Sequence, residues 1–173
     1  MNIILCLQQW RTRKSAWVLL AISAFALVLA ALVFQHVYGH APCIKCIYQR
    51  TAVIGILLAA IVPIIYNNSH SRFIGYAGWL LSAVWGWRLS SEHIDILTAP
   101  NPFFAPCEIV PNFPSMLPLH QWLPQIFAAP GDCFDQAWQF MGMGMPQWMQ
   151  IIFAFYSVLA AIFIALKFLP RRD

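Results

Sequence analysis

Residues 41–50 read APCIKCIYQR, and three of them have the types and spacing for redox chemistry: Cys43, Cys46 and Arg50. A disulfide across C-x-x-C closes a very small ring. It constrains the unfolded chain little, so it is a poor staple and a better redox centre. If a helix begins near Cys43, just after Pro42, residues 46 and 50 share one face. The helix N-terminus and the guanidinium would then both favour a thiolate at Cys46. Cys107 and Cys133 lie far downstream, and Cys6 lies near the N-terminus.

Other chemistry for these cysteines fits less well. Haem attachment wants C-x-x-C-H, and Ile47 follows Cys46 here. Zinc held by four thiolates needs closely spaced ligand pairs. Cys107 and Cys133 form no knuckle, so no metal is expected. Disulfides that only brace the loops remain an open alternative.

The elements that must position these residues are set by composition. The chain has 173 residues, 61% of them hydrophobic and 9% charged, with mean hydropathy +0.67. A soluble domain carries about 25% charged residues. The composition predicts one membrane domain, an all-α bundle of four transmembrane helices at about 16–36, 47–66, 72–90 and 147–169. The first, from Ala16, is too long for the apolar core of a signal peptide. The third is short between Arg72 and Arg88, and spans if Arg88 snorkels and the helix runs on past the surface. No basic stripe interleaved with aromatics exists, so nucleic-acid binding is not expected.

Orientation follows from the charges. Arg11, Arg13, Lys14, His70, Arg72, Lys167, Arg171 and Arg172 cluster at three places, whereas Ser90–Pro146 has no Lys or Arg and holds five of the six acids. The positive-inside rule puts both termini in the cytoplasm and two loops outside, about 37–46 and 91–146. Lys45 and Arg50 are exceptions to that bias. Four cysteines then face the side where disulfides persist, and Cys6 stays on the reducing side. Arg50 sits near the bilayer boundary, within reach of a lipid-soluble ligand; snorkelling to headgroups is the alternative.

The second loop holds eight prolines between residues 100 and 130, so no long helix fits there, and a mostly irregular path is expected. A disulfide between Cys107 and Cys133 would contribute about 3–4 kcal/mol in the chain-entropy account. Between them MLPLHQWLPQIF (Met116–Phe127) suits a short interfacial helix on the membrane surface. APGDC (Ala129–Cys133) reads as a turn presenting Cys133. In RLSSEHIDI (Arg88–Ile96), Arg88 and Glu92 are a candidate pair. His93 is expected near the outer surface as a candidate hydrogen-bond donor, although a lone histidine at an interface is usually structural. Trp79, Trp85, Trp87, Trp122, Trp138 and Trp148 read as interface anchors.

VFQHVYGHAPCIKCIYQR, then PFFAPC and GDC in the second loop, then GMPQW (Gly144–Trp148) together resemble the disulfide bond formation protein B (DsbB) family of the bacterial inner membrane, from about residue 16 to 166. The resemblance implies a thiol:quinone oxidoreductase. It would re-oxidise a periplasmic thioredoxin-like partner of DsbA type and pass the electrons to the membrane quinone pool, ubiquinone or menaquinone. Cys107 and Cys133 match the partner-facing pair, with Cys107 attacked first. Cys133 would then attack Cys43 and release Cys46, which faces the quinone. Arg50 matches an arginine that assists the quinone and His93 a histidine near it. Gln49 departs from the expected glutamate, and YGHA also differs, so a specialised DsbI-like paralogue with its own dedicated oxidant is a variant of the same reading. A vitamin K epoxide reductase-like protein is the rival enzyme, but its C-x-x-C normally follows its loop cysteines, and here the order is reversed.

Overall fold

The computed structural model describes residues 13–100, 107, 111–134 and 138–168. Its elements in chain order are α1 (Lys14–His36), α2 (Ile44–Ile65) and α3 (Ser69–Thr98), then the single turns α4 (Leu119–Trp122) and α5 (Pro124–Phe127). A hairpin of β1 (Gln139–Phe140) and β2 (Met143–Gly144) leads into α6 (Met145–Phe168). Cys6 lies outside the described residues.

The chain is an all-α membrane protein, a bundle of four long helices. Among the described residues α1, α2 and most of α6 are long and apolar enough to cross a membrane. The fourth, α3, has 30 residues and is about 45 Å long at 1.5 Å per residue. It packs against both α2 and α6, while α1 packs against α2. Its start is fixed by a capping box: Asn68 Oδ1 accepts from the Ser71 N–H at 2.7 Å, and Ser71 Oγ accepts from the Asn68 N–H at 3.2 Å. Nothing interrupts it until Ala99, which precedes Pro100 and leaves helical geometry. The helix therefore continues beyond the apolar stretch and carries Glu92 and His93 to the end of the bundle where α2 begins.

Small residues let the helices approach: Ala24, Ala60, Ala83 and Ala160 are fully buried. At Gly86 a Cβ would collide with the Phe153 ring, so the close approach of α3 to α6 at that point needs a residue without a side chain. An aromatic chain ties α1, α3 and α6 together. Trp17 lies 4.6 Å from Tyr76, Tyr76 lies 6.3 Å from Trp79, and Trp79 lies 6.1 Å from Phe163, between ring centroids. Trp79 is thus a core residue and not the interface anchor expected from sequence, whereas Trp85, Trp87 and Trp122 are exposed. The Tyr156 hydroxyl donates to Ser23 Oγ at 2.9 Å, linking α6 to α1. Leu19, Ile22, Phe25 and Leu29 of α1, with Ile151, Phe155, Val158 and Ile162 of α6, point outward. Such a surface is a liability in water and the natural wall against lipid.

The expected interfacial helix is two separate turns, α4 and α5, because Pro118 and Pro124 each allow only a short start. Met116, Leu117, Trp122 and Leu123 around them are exposed. The hairpin was not expected, and its turn places Met141 and Gly142 at positive φ, 52° and 76°.

Candidate active site

The first cysteine of the C-x-x-C pair is the N-cap of α2. Cys43 Sγ accepts the Cys46 backbone N–H at 3.3 Å, so the first turn of the helix is closed by a sulfur. The two sulfurs stand 2.8 Å apart as free thiols. The expectation of a thiolate favoured at Cys46 by the helix N-terminus is corrected here. The Cys46 N–H serves Cys43, which stands at the cap position and accepts it. The Cys46 thiol, hydrogen-bonded to it, is the main cause that lowers the Cys43 pKa from 9.0 to about 5; burial opposes this and His93 assists.

His93 is buried rather than at the surface, 3% exposed. Its Nε2 lies 3.3 Å from the Cys133 carbonyl oxygen and 3.7 Å from Cys43 Sγ. A carbonyl can only accept, so Nε2 donates to it, and Nδ1 is buried without a protein partner. His93 thus faces both cysteine pairs, and its donor is already engaged.

Arg50 is 6% exposed. Its Nη1 donates to Gln35 Oε1 at 2.8 Å and to the Ile126 carbonyl at 2.5 Å. Its Nε is buried with no partner, as is Nε2 of the neighbouring Gln49. Gln35 Nε2 and His36 Nε2 both donate to the Gln125 carbonyl, at 3.2 and 3.1 Å. Three side chains therefore hold the carbonyls of α5, and the second loop is tied down over Arg50. Tyr48 adds a further tie, its hydroxyl accepting the Asn112 N–H at 2.7 Å.

Glu92 does not pair with Arg88. It accepts from Lys45 Nζ at 2.8 Å, joining the start of α2 to α3. This accounts for one of the two outer-side cations that broke the charge pattern.

In the second loop Cys107 and Cys133 are joined in a disulfide, with Cα atoms 6.2 Å apart. Cys133 and Cys43 are buried in one small cluster with Ile44 and Ile96, against which Cys46, Cys107, Ala129 and Phe134 pack. The structure thus brings together every residue singled out from sequence: Cys43, Cys46, Arg50, His93, Cys107 and Cys133.

Cys43, Cys46, Gln49, Arg50 and His93 also line one cavity of about 120 Å³. Its remaining wall is largely apolar, with Leu27, Val28, Phe34, Val53 and Met149. Two unpartnered donors, Arg50 Nε and Gln49 Nε2, and one unpartnered ring nitrogen, His93 Nδ1, belong to this lining. Apolar walls with a few unpaired polar groups fit a flat, apolar head that carries carbonyl acceptors, which is the chemistry of a quinone. Sequence reasoning missed Gln35 and treated Gln49 only as a departure. For Gln49 the available signal was its place in the helix, between Cys46 and Arg50; for Gln35 it was a polar side chain at the end of an apolar helix.

A family model described as disulfide bond formation protein DsbB matches residues 13–163. Disulfide bond formation protein B of Pseudoalteromonas atlantica is 52% identical over 159 residues, 92% of this chain and 93% of that protein. The protein of the same name from Pseudoalteromonas translucida is 43% identical over 169 residues, 96% and 98% of the two chains. That of Yersinia pestis (strain Pestoides F) is 44% identical over 162 residues, 92% of each.

Proposed function

The chain belongs to the DsbB family of membrane thiol:quinone oxidoreductases, and on that premise we propose how its own residues divide the work. A periplasmic thioredoxin-like partner of DsbA type, in its dithiol form, attacks Cys107. The Cys107–Cys133 bond breaks and Cys133 leaves as a thiolate. Cys133 attacks Cys43 of the oxidised C-x-x-C pair, and the electron pair leaves on Cys46. The partner's second thiol resolves its bond to Cys107, and Cys107 recloses on Cys133, leaving Cys43 and Cys46 as the dithiol. The sum is one partner disulfide formed and two electrons and two protons delivered to the C-x-x-C pair.

Arg50, Gln49 and His93 would hold the quinone beside Cys46, and a bound quinone supplies the two-electron, two-proton sink. Arg50 contributes an N–H and a fixed positive charge in an apolar cavity, where a charge acts strongly. His93 Nδ1 is placed to hold a proton. The sink is required. A DsbA-type partner is a strong thiol oxidant, at about −120 mV in the family's own system, and cysteines alone supply no net oxidising power.

The observation that carries this reading is the double setting of the C-x-x-C pair. Cys43 is buried with Cys133 while Cys46 lines the cavity of Arg50. Pure loop braces need no such cavity. The charge pattern supports the bacterial inner membrane with both termini cytoplasmic, since Ser90–Pro146 has no Lys or Arg. The test is quinone reduction by purified protein with a reduced DsbA-type partner as donor. Turnover that requires all four cysteines is expected. Turnover that survives Cys107→Ser, or none with any thioredoxin-like partner, overturns the reading. Turnover with only one dedicated partner would mark the specialised paralogue.

A further inference from the structure

We propose that the Pro130–Gly131 turn is a positioning joint, which seats Cys133 on the C-x-x-C pair by backbone contact between the two outer loops. The inference rests on the relay described above and concerns one step of it, the attack of Cys133 on Cys43.

The Gly131 N–H donates to the Pro42 carbonyl at 3.1 Å. The donor stands two residues before Cys133 and the acceptor one residue before Cys43. A Cβ at residue 131 would overlap the Ala41 carbonyl oxygen, and would lie 2.8 Å from Ala41 C and 3.0 Å from Pro42 C. These neighbours are backbone atoms ahead of a helix cap and cannot swing aside as a side chain would. Residue 131 is therefore glycine for close approach. Two further contacts hold the same turn. His93 Nε2 faces the Cys133 carbonyl at 3.3 Å, and Asp132 Oδ1 accepts the Phe134 N–H at 3.2 Å. The outcome is that Cys133, fully buried, and Cys43, 3% exposed, share one cluster.

The joint matters because of the order of events. While the Cys107–Cys133 disulfide is intact, that bond fixes Cys133. Transfer begins only after the partner has opened it, and from then on the covalent tether is gone. A cysteine on a free loop reaches its target at roughly millimolar effective concentration. A seated group reaches far higher values, and a displacement of about 1 Å costs about a hundredfold. In the step itself the Cys133 thiolate attacks Cys43 Sγ. The Cys43–Cys133 bond forms, the Cys43–Cys46 bond breaks, and the electron pair leaves on Cys46; no further oxidant is needed. The joint supplies the seat for that attack when the disulfide no longer does.

Gly131→Ala in the full-length membrane protein tests this through three rates. Quinone reduction driven by the reduced partner is expected to fall roughly tenfold to a hundredfold, while the two half-reactions stay within about twofold. One half-reaction is quinone reduction by a small dithiol acting on the Cys43–Cys46 disulfide. The other is mixed-disulfide formation in a Cys133→Ser background, in which the Cys107 thiol attacks the partner in its disulfide form and one partner thiolate leaves. A second measurement needs no turnover. In a Cys46→Ser, Cys107→Ser background, glutathione titration gives the effective concentration for closing Cys43–Cys133, and Gly131→Ala is expected to lower it by the same factor. Unchanged partner-driven turnover, equal effective concentrations, or parallel loss of all three rates overturns the joint. If the wild-type protein accepts electrons from the dithiol but from no partner, the relay itself falls and the joint with it.

Discussion

Replacing Arg50 by lysine separates a ligand-holding guanidinium from a charge that merely sits at the membrane boundary. Arg50 spends Nη1 on Gln35 and on the Ile126 carbonyl, at 2.8 and 2.5 Å, and keeps Nε buried without a partner. A lysine at the same depth can take over the first two acceptors with its ammonium. It cannot also present a second N–H at a fixed angle to the cavity. The variant therefore keeps the charge and the tie to the second loop, and loses one charge-assisted hydrogen bond to the ligand. Such a bond contributes about 1.5–3 kcal/mol, or about tenfold to a hundredfold in affinity at 1.4 kcal/mol per decade. The assay is quinone titration at saturating dithiol, repeated at saturating reduced partner. The half-saturating quinone concentration is expected to rise by that factor in both series. Exchange between the partner and Cys107 should be unchanged, because the contact to Ile126 survives. Superimposable titrations of wild type and Arg50→Lys would refute the placement of Arg50 in the ligand site.

Cys133→Ser removes the group that resolves Cys107, so when the variant's Cys107 thiol meets the partner in its disulfide form, a mixed disulfide should accumulate on non-reducing gels; its absence would mean that Cys107 is not the sulfur that exchanges with the partner. The Cys43 pKa is lowered from 9.0 to about 5, so its thiolate should persist as pH falls from 9 and be half lost only near 5, read by thiolate ultraviolet absorbance in protein reduced at this pair. Cys46→Ala removes the first cause of that shift and should move the transition back towards 9. The Lys45–Glu92 pair is 17% and 48% exposed at its side chains, so Lys45→Met should cost no more than about 1 kcal/mol in thermal or denaturant stability.

The helices were legible because lipid demands apolar runs and internal backbone hydrogen bonding, and both leave marks in composition. The start of α2 near Cys43, just after Pro42, was legible too, though not the role of Cys43 as its cap. What the sequence hid was the direction of individual donors. The Cys46 N–H serves Cys43, and no periodicity distinguishes a sulfur at the cap from one a turn inside. The same limit governed Glu92, whose helical neighbour Arg88 was visible while Lys45, on another helix, was not. Trp79 was misread because an aromatic in the middle of α3 can face lipid or core, and only the partners Trp17, Tyr76 and Phe163 decide which. Lys45 and Arg50 were informative as exceptions. Both broke the charge bias of the outer side, and both have a partner that explains the breach.

Exposure sorts the four cysteines in the order in which the proposed relay uses them. Cys107 is half-buried, Cys133 and Cys43 are buried, and Cys46 is half-buried again where it lines the cavity. The first sulfur must be reached by a protein and the last by a lipid-soluble acceptor, so both need an open side. The middle two exchange only with each other. Burying them slows the entry of small thiols that would divert the electrons, because thiol–disulfide exchange requires access to the sulfur attacked. It also means that Cys133 and Cys43 cannot find each other by diffusion of an open loop without exposing themselves to the same side reactions. A pair that is both hidden and reactive has to be placed by the fold. In this chain that placement rests on a hydrogen bond between two loop backbones and on a histidine that faces both sides of the exchange.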